Sequence, residues 1–110
     1  NHVRGILTVH VTPQTPVGKF LLFQGPVQAS STSLLIELNG PGGHTSKPFE
    51  TSDLIYISSR YIGQVQTFIQ QKTDPRETLA FAFGSVHGGA THNIIPQQVQ
   101  LRGTIRTLDN

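Results

Sequence analysis

Residues 39–48 read Asn39-Gly40-Pro41-Gly42-Gly43-His44-Thr45-Ser46-Lys47-Pro48, and the fold turns on what stands on either side of them. Before this stretch, Leu34, Ile36 and Leu38 alternate with Leu35, Glu37 and Asn39, the period of a half-buried strand. After it, Leu54, Ile55, Ser58, Tyr61, Ile62, Val65, Phe68 and Ile69 recur at spacings of three and four, the apolar stripe of a helix over residues 53–71. Thr51, Ser52 or Asp53 can cap that helix, Lys72 suits its last turn, and Asp74-Pro75 ends it. The glycines between the two elements allow backbone conformations closed to other residues and close approach by a ligand. His44 therefore stands on a tight turn between rigid elements, a place for a hydrogen-bond donor or a metal ligand. The same composition also serves a plain strand-to-helix connection with an exposed histidine.

Downstream, residues 77–86 alternate bulky Leu79, Phe81 and Phe83 with small Ala80, Ala82 and Gly84, a strand with one packed face and one face open to close approach. His87-Gly88-Gly89-Ala90-Thr91-His92-Asn93 is a polar glycine-rich loop. Ile94-Ile95-Pro96 then leads into a last strand, where Val99, Leu101, Gly103 and Ile105 face one way and Gln98, Gln100, Arg102, Thr104 and Arg106 the other. Strand, helix, strand, strand predicts an α+β fold: an antiparallel three-stranded sheet with the helix across one face. This is the first part of a ferredoxin-like βαββαβ unit, and the second helix and fourth strand are expected beyond Asn110. Upstream, residues 3–11 and 17–23 read as extended runs separated by Thr12-Pro13-Gln14-Thr15-Pro16, and residues 27–33 as a small polar linker. The expected division is residues 1–30, outside the domain, and residues 31–110, the domain itself.

The 110 residues bound one domain, and 35% apolar content predicts a modest core. A formal charge of +2, with basic residues scattered, offers no cluster for nucleic acid or an anionic membrane. The absence of cysteine excludes disulfides and thiolate metal sites, and no apolar run approaches transmembrane length. The chain has no methionine and stops at Asp109-Asn110, a helix-cap-like pair, so it is expected to be part of a longer protein.

Four segments taken together carry a resemblance: Gly-Pro-Gly-Gly-His-Thr-Ser-Lys-Pro at 40–48, Thr-Ser-Asp-Leu-Ile at 51–55, Gly-Ser-Val-His-Gly-Gly-Ala-Thr-His-Asn-Ile-Ile-Pro at 84–96, and Leu-Arg-Gly-Thr-Ile-Arg-Thr at 101–107. In this order and spacing the chain resembles the lid or dimerisation domain of zinc-dependent amidohydrolases and carboxypeptidases, the group of hippurate hydrolases, auxin-conjugate hydrolases, N-acyl-amino-acid deacylases and carboxypeptidase G. The resemblance implies that His44 stabilises an oxyanion in the partner subunit's active site, and that Asn93 and Arg106 bind the substrate's α-carboxylate. Residues 9–18 resemble the segment just before the family's lid, where His10 falls on a metal-ligating histidine. The metal implied is divalent, zinc in the family, and the substrate an N-acyl amino acid or peptide.

The family's other metal ligands and its catalytic Glu have no counterpart in residues 1–110, and three protein ligands are the usual minimum for catalytic zinc. The chain alone is therefore expected to hydrolyse nothing. The expected assembly is a homodimer through the uncharged strand 77–86 and the glutamine-rich side of helix 53–71. The expected location is the cytoplasm. A second reading is a stand-alone ferredoxin-like binding module without catalysis. A third, a small metal-binding domain using His10, His44, His87 and His92, is disfavoured by their scatter along the chain.

Overall fold

The computed structural model describes residues 2–108. Its strands are β1 (Thr32–Asn39), β2 (Gly43–His44), β3 (Leu79–Gly88), β4 (Ile94–Ile95) and β5 (Gln98–Thr107), with one long helix, α1 (Leu54–Lys72), between β2 and β3. A single 3-10 turn, Pro48–Glu50, precedes the helix. The main sheet has the order β1-β5-β3, antiparallel throughout, and α1 lies across one face. This is the expected α+β arrangement of a ferredoxin-like fold with one helix.

Each element forms where its residues dictate, with small shifts. Asp53 is the cap among the three candidates: its carboxylate accepts from the N–H groups of Ile55 and Tyr56, both at 3.0 Å. At the other end, Thr73 closes onto the Ile69 carbonyl through both its N–H and its hydroxyl. Asp74 and Pro75 then turn the chain. There the Arg76 guanidinium, and behind it the Arg76 N–H, hold the Asp74 carboxyl below the usual carboxylate range.

The inward line of α1 is narrower than the apolar stripe in its sequence. Leu54 and Ser58 are buried and Ile62, Val65 and Ile69 half-buried, whereas Ile55, Tyr61 and Phe68 are exposed. Ser58 is tolerated inside because its hydroxyl donates to the Leu54 carbonyl at 2.7 Å. Leu54 meets Val99 and Leu101 of β5, with Ile36, Leu38, Ile62 and Phe83 around them. Leu101 is wholly buried and Val99 nearly so, as befits the helix-facing positions of the central strand. At about 1.5–3 kcal/mol for each fully buried aliphatic side chain, this small cluster supplies much of the apolar stabilisation.

The strand read at 77–86 forms two residues later and carries a bulge. Phe83 pairs with Gly103 and Ser85 with Arg102, so Gly84 is the extra residue. The bulge reverses the alternation. Val86 and Gly88 join the helix side opposite Leu101 and Val99, and Ser85 and His87 pass to the open face. That open face is polar. Gln100 donates to Glu37 at 2.7 Å and Gln98 to Asn39 at 3.2 Å, so it carries its own cross-strand bonds without a second layer.

The extended runs read at 3–11 and 17–23 are not strands here. Residues 2–31 contain turns only, and Ile6, Leu7 and Leu22 are almost fully exposed. Aliphatic and β-branched residues favour an extended chain, but a strand also needs a partner ladder, and none among the described residues pairs with these. The segment joins the sheet at Ser30, whose N–H donates to the Thr107 carbonyl at 2.7 Å.

Candidate functional site

The site grows from the end of the main sheet where β1 and β5 run on past their last rung. Asn39 pairs with Gln98, the Gly40 N–H reaches the Gln97 carbonyl at 3.0 Å, and then Gly43 pairs with Ile95 and His44 with Ile94. Pro41 and Pro96 have no N–H to give, so the ladder breaks there and resumes as the separate β2–β4 pair.

Glycine is required at this break. Gly42 has φ +69°, and a Cβ on it would stand 2.6 Å from the Gln97 Cγ. A Cβ on Gly43 would stand 3.2 Å from the Thr51 methyl. The Thr51 hydroxyl donates to the Gly42 carbonyl at 2.7 Å, tying the glycine turn to the residues just before α1.

On this platform Ile95 is buried beneath and His44, at the next rung, is exposed. The Thr45 N–H donates to the Asn93 carbonyl at 3.2 Å, so His44 and Asn93 are held in adjoining strands of chain. His44 Nδ1 lies 3.1 Å from the Ser46 N–H and 2.8 Å from its hydroxyl. The Thr91 hydroxyl donates to Asn93 Oδ1 at 3.1 Å, which leaves the amide N–H groups of Asn93 turned to other partners. The end of the domain thus presents an imidazole and a carboxamide, each with one polar atom engaged inside the chain.

Arg106 is not at this end. It pairs with Ala80 and is exposed on the open face, eight residues along β5 from Gln98, or about 26 Å at the usual rise per residue. Of the three residues linked to substrate by resemblance, one chain brings together His44 and Asn93 and sets Arg106 apart. His10 lies in the exposed N-terminal segment, with Nδ1 donating to the Val11 carbonyl at 2.7 Å. His87 stands opposite Gln100, and His92 is exposed beside Asn93. Among the described residues no three His, Asp or Glu side chains converge on a point, so His10 is a single donor and these residues alone do not make a metal site.

Ser46, Thr51 and Thr91 are the residues a motif reading passes over. Ser46 and Thr91 stand two residues from His44 and Asn93, and Thr51 nine from Gly42, hydroxyls whose spacing only the bent backbone turns into contact.

The sheet order leaves the outer edges of β1 and β3 without a neighbouring strand among the described residues. Beside them, a shallow groove runs along α1 past Ser59, Arg60, Gly63, Gln64, Thr67, Phe68 and Gln71. No helix among the described residues is long and apolar enough to cross a membrane.

An antiparallel three-stranded sheet with one covering helix and a glycine-cradled histidine at its end defines an α+β domain of ferredoxin-like type. Residues 28–110 match the family model of the peptidase dimerisation domain, and the chain belongs to that family. It is 36% identical over 103 residues to N-acetyldiaminopimelate deacetylase of Priestia megaterium, covering 94% of this chain and 28% of that protein. It is 37% identical over 103 residues to the enzyme of the same name in Bacillus subtilis, with the same coverage. Among solved structures it is similar to a protein assigned as an aminohydrolase in methicillin-resistant Staphylococcus aureus, with TM-score 0.71, 31% identity, and coverage of 76% of this chain and 22% of that one. The chain therefore spans about a quarter of the length of these relatives.

Proposed function

We propose that this domain dimerises a metal-dependent N-acyl-amino-acid amidohydrolase and lends polar donors to its partner's active site. In this reading residues 31–110 form the dimerisation and lid domain, and residues 1–30 belong with the catalytic part. The observation that carries it is that His44 and Asn93 share one end of the sheet, with Asn93 Nδ2 and His44 Nε2 uncommitted among the described residues.

Attack on an amide carbonyl builds negative charge on its oxygen, and an N–H aimed at that oxygen stabilises the transition state. His44 suits this role. Asn93 suits a carboxylate, as a neutral amide donor, and Arg106 suits it as a planar fork. The substrate class that fits is an N-acylated, and by its relatives' names an N-acetylated, amino acid with a free carboxylate. Any metal would take His10 as one ligand and draw the others from outside the described residues.

The position of Arg106 refines this reading. The acyl oxygen and α-carboxylate of an amino-acid amide are a few bonds apart, so their ligands must converge. Within one chain Arg106 is about 26 Å of strand away from that end. Two copies pairing through β3 about a two-fold axis run antiparallel, which brings the Arg106 end of one sheet level with the His44 end of the other. Each substrate site then takes His44 and Asn93 from one subunit and Arg106 from the other. The β3 edge suits this contact, since Leu79–Gly88 bears no acidic residue and no Lys or Arg. Along the groove of α1 Arg60 is the one charged side chain among Ser, Gln and Thr, so most of that side can be covered with little loss of hydration.

The test is kinetic, in the full-length protein. His44→Ala should lower kcat by about 100- to 1,000-fold with little change in KM, because an oxyanion donor acts in the transition state. Arg106→Ala should weaken acid substrates and erase their advantage over the corresponding carboxamides. A His44→Ala enzyme with near-normal kcat, or an Arg106→Ala enzyme that keeps its preference for the free acid, would refute the respective role.

A further inference from the structure

We infer that Ser46 is a positioning residue: it fixes the tautomer of His44, so that the ring presents an Nε2–H, and not a bare lone pair, to whatever the site binds. Two donors on one nitrogen carry this. The Ser46 main-chain N–H, 3.1 Å from His44 Nδ1, can only donate, so Nδ1 must face it with its lone pair. The Ser46 hydroxyl, 2.8 Å from the same atom, adds a second donor there. A neutral imidazole has one N–H; with Nδ1 accepting, that proton sits on Nε2. Nε2 has no hydrogen-bond partner among the described residues, and the ring is exposed.

The local fold enforces the contact. His44 ends β2, and Thr45 is tied to the Asn93 carbonyl. The chain then doubles back, with the Lys47 N–H on the His44 carbonyl at 3.0 Å. Ser46 is thereby folded against the ring it follows. His10 is a built-in contrast. Its Nδ1 faces the Val11 carbonyl at 2.7 Å, and a carbonyl can only accept, so there the N–H is on Nδ1 and Nε2 holds the lone pair. One histidine of the chain is set as a donor and another as a ligand. The tautomer of His44 stands on geometry alone; its catalytic consequence rests on the reading of His44 as oxyanion donor.

Proton–nitrogen correlation spectra of the imidazoles in the isotope-labelled 110-residue chain test this, recorded about 1.5 pH units above the ordinary histidine range. His44→Ala and His10→Ala chains assign the signals. His44 is expected chiefly as the Nε2–H form and His10 as the Nδ1–H form. Ser46→Pro removes both donors and should move His44 toward the mixture of an unconstrained ring; Ser46→Ala removes only the hydroxyl and should move it part of the way. A wild-type His44 with its proton on Nδ1, or as an unbiased mixture, overturns the inference whether or not the proline variant folds.

In the full-length protein, Ser46→Ala should lower kcat about fivefold at constant KM, the ordinary net worth of one hydrogen bond. Ser46→Thr should restore it, and Ser46→Ala should cost nothing further on a His44→Ala background. An equal loss on that background would mean a merely structural serine and overturn the positioning role. Normal turnover in His44→Ala would sink the oxyanion reading and leave the spectra standing, so the two claims fail separately.

Discussion

The split placement of His44 and Arg106 makes a quantitative demand on a dimeric enzyme carrying this domain. Full-length His44→Ala and Arg106→Ala subunits are unfolded or dissociated together, mixed in equal amounts and reassembled. If each site takes His44 from one subunit and Arg106 from the other, the heterodimer holds one intact site and one lacking both residues. Random reassembly makes about half the dimers hetero, each half-active, so the mixture recovers about a quarter of wild-type activity. Each variant alone is far below that, by about 100-fold or more for the lost oxyanion donor. On β5, Arg106 lies opposite Ala80, about 26 Å along the strand from Gln98, while His44 and Asn93 lie beyond Gln98. The assay is initial rate against the mixing ratio, with native mass spectrometry counting heterodimers. Rates that stay at the mean of the two variants, in a sample where heterodimers are counted, would refute the composite site, because residues of one subunit serving one site leave the heterodimer with no intact site.

Two further predictions rest on the domain alone. Gly63 and Gly103 respond oppositely to alanine. At Gly63, mid-helix with nothing within 4 Å of a new Cβ, alanine should stabilise by about 0.5–1 kcal/mol. At Gly103 the Cβ would stand 2.6 Å from the Ala82 carbonyl oxygen, main chain that cannot swing aside, and the loss should be about 1–3 kcal/mol. Urea midpoints of the two variants decide it, and a Gly103→Ala midpoint at or above wild type would contradict the packing of β3 on β5. Secondly, Ala82→Lys puts a charge on the outward face of β3 and should weaken a dimer built on that edge. Sedimentation in which wild type dimerises and the lysine variant dimerises equally well would move the interface to the free edge of β1.

Much of the fold could be read without coordinates, because its cues are local. The alternation of Leu34, Ile36 and Leu38 put β1 in place, and the three-and-four spacing from Leu54 to Ile69 put α1 in place. Gly42-Gly43 marked the turn at which φ is positive. His44 and Asn93 could be singled out as residue types in motifs. What local pattern could not supply was everything that depends on a partner. The runs at 3–11 and 17–23 are rich in aliphatic, β-branched or aromatic residues, yet nothing among the described residues pairs with them and they are not strands. Tyr61 and Phe68 match the helical stripe but remain exposed, Tyr61 with only its ring against Phe83 of β3. The bulge at Gly84 reversed the facing of Ser85, Val86 and His87, since register is set across strands and not along one. The same holds for the site. Sequence named His44, Asn93 and Arg106 together, but strand pairing alone decided that the first two share an end and the third lies at the other. It also decided that Ser46 reaches the His44 ring, for a hydrogen bond depends on where the backbone bends, and residue spacing does not contain that bend.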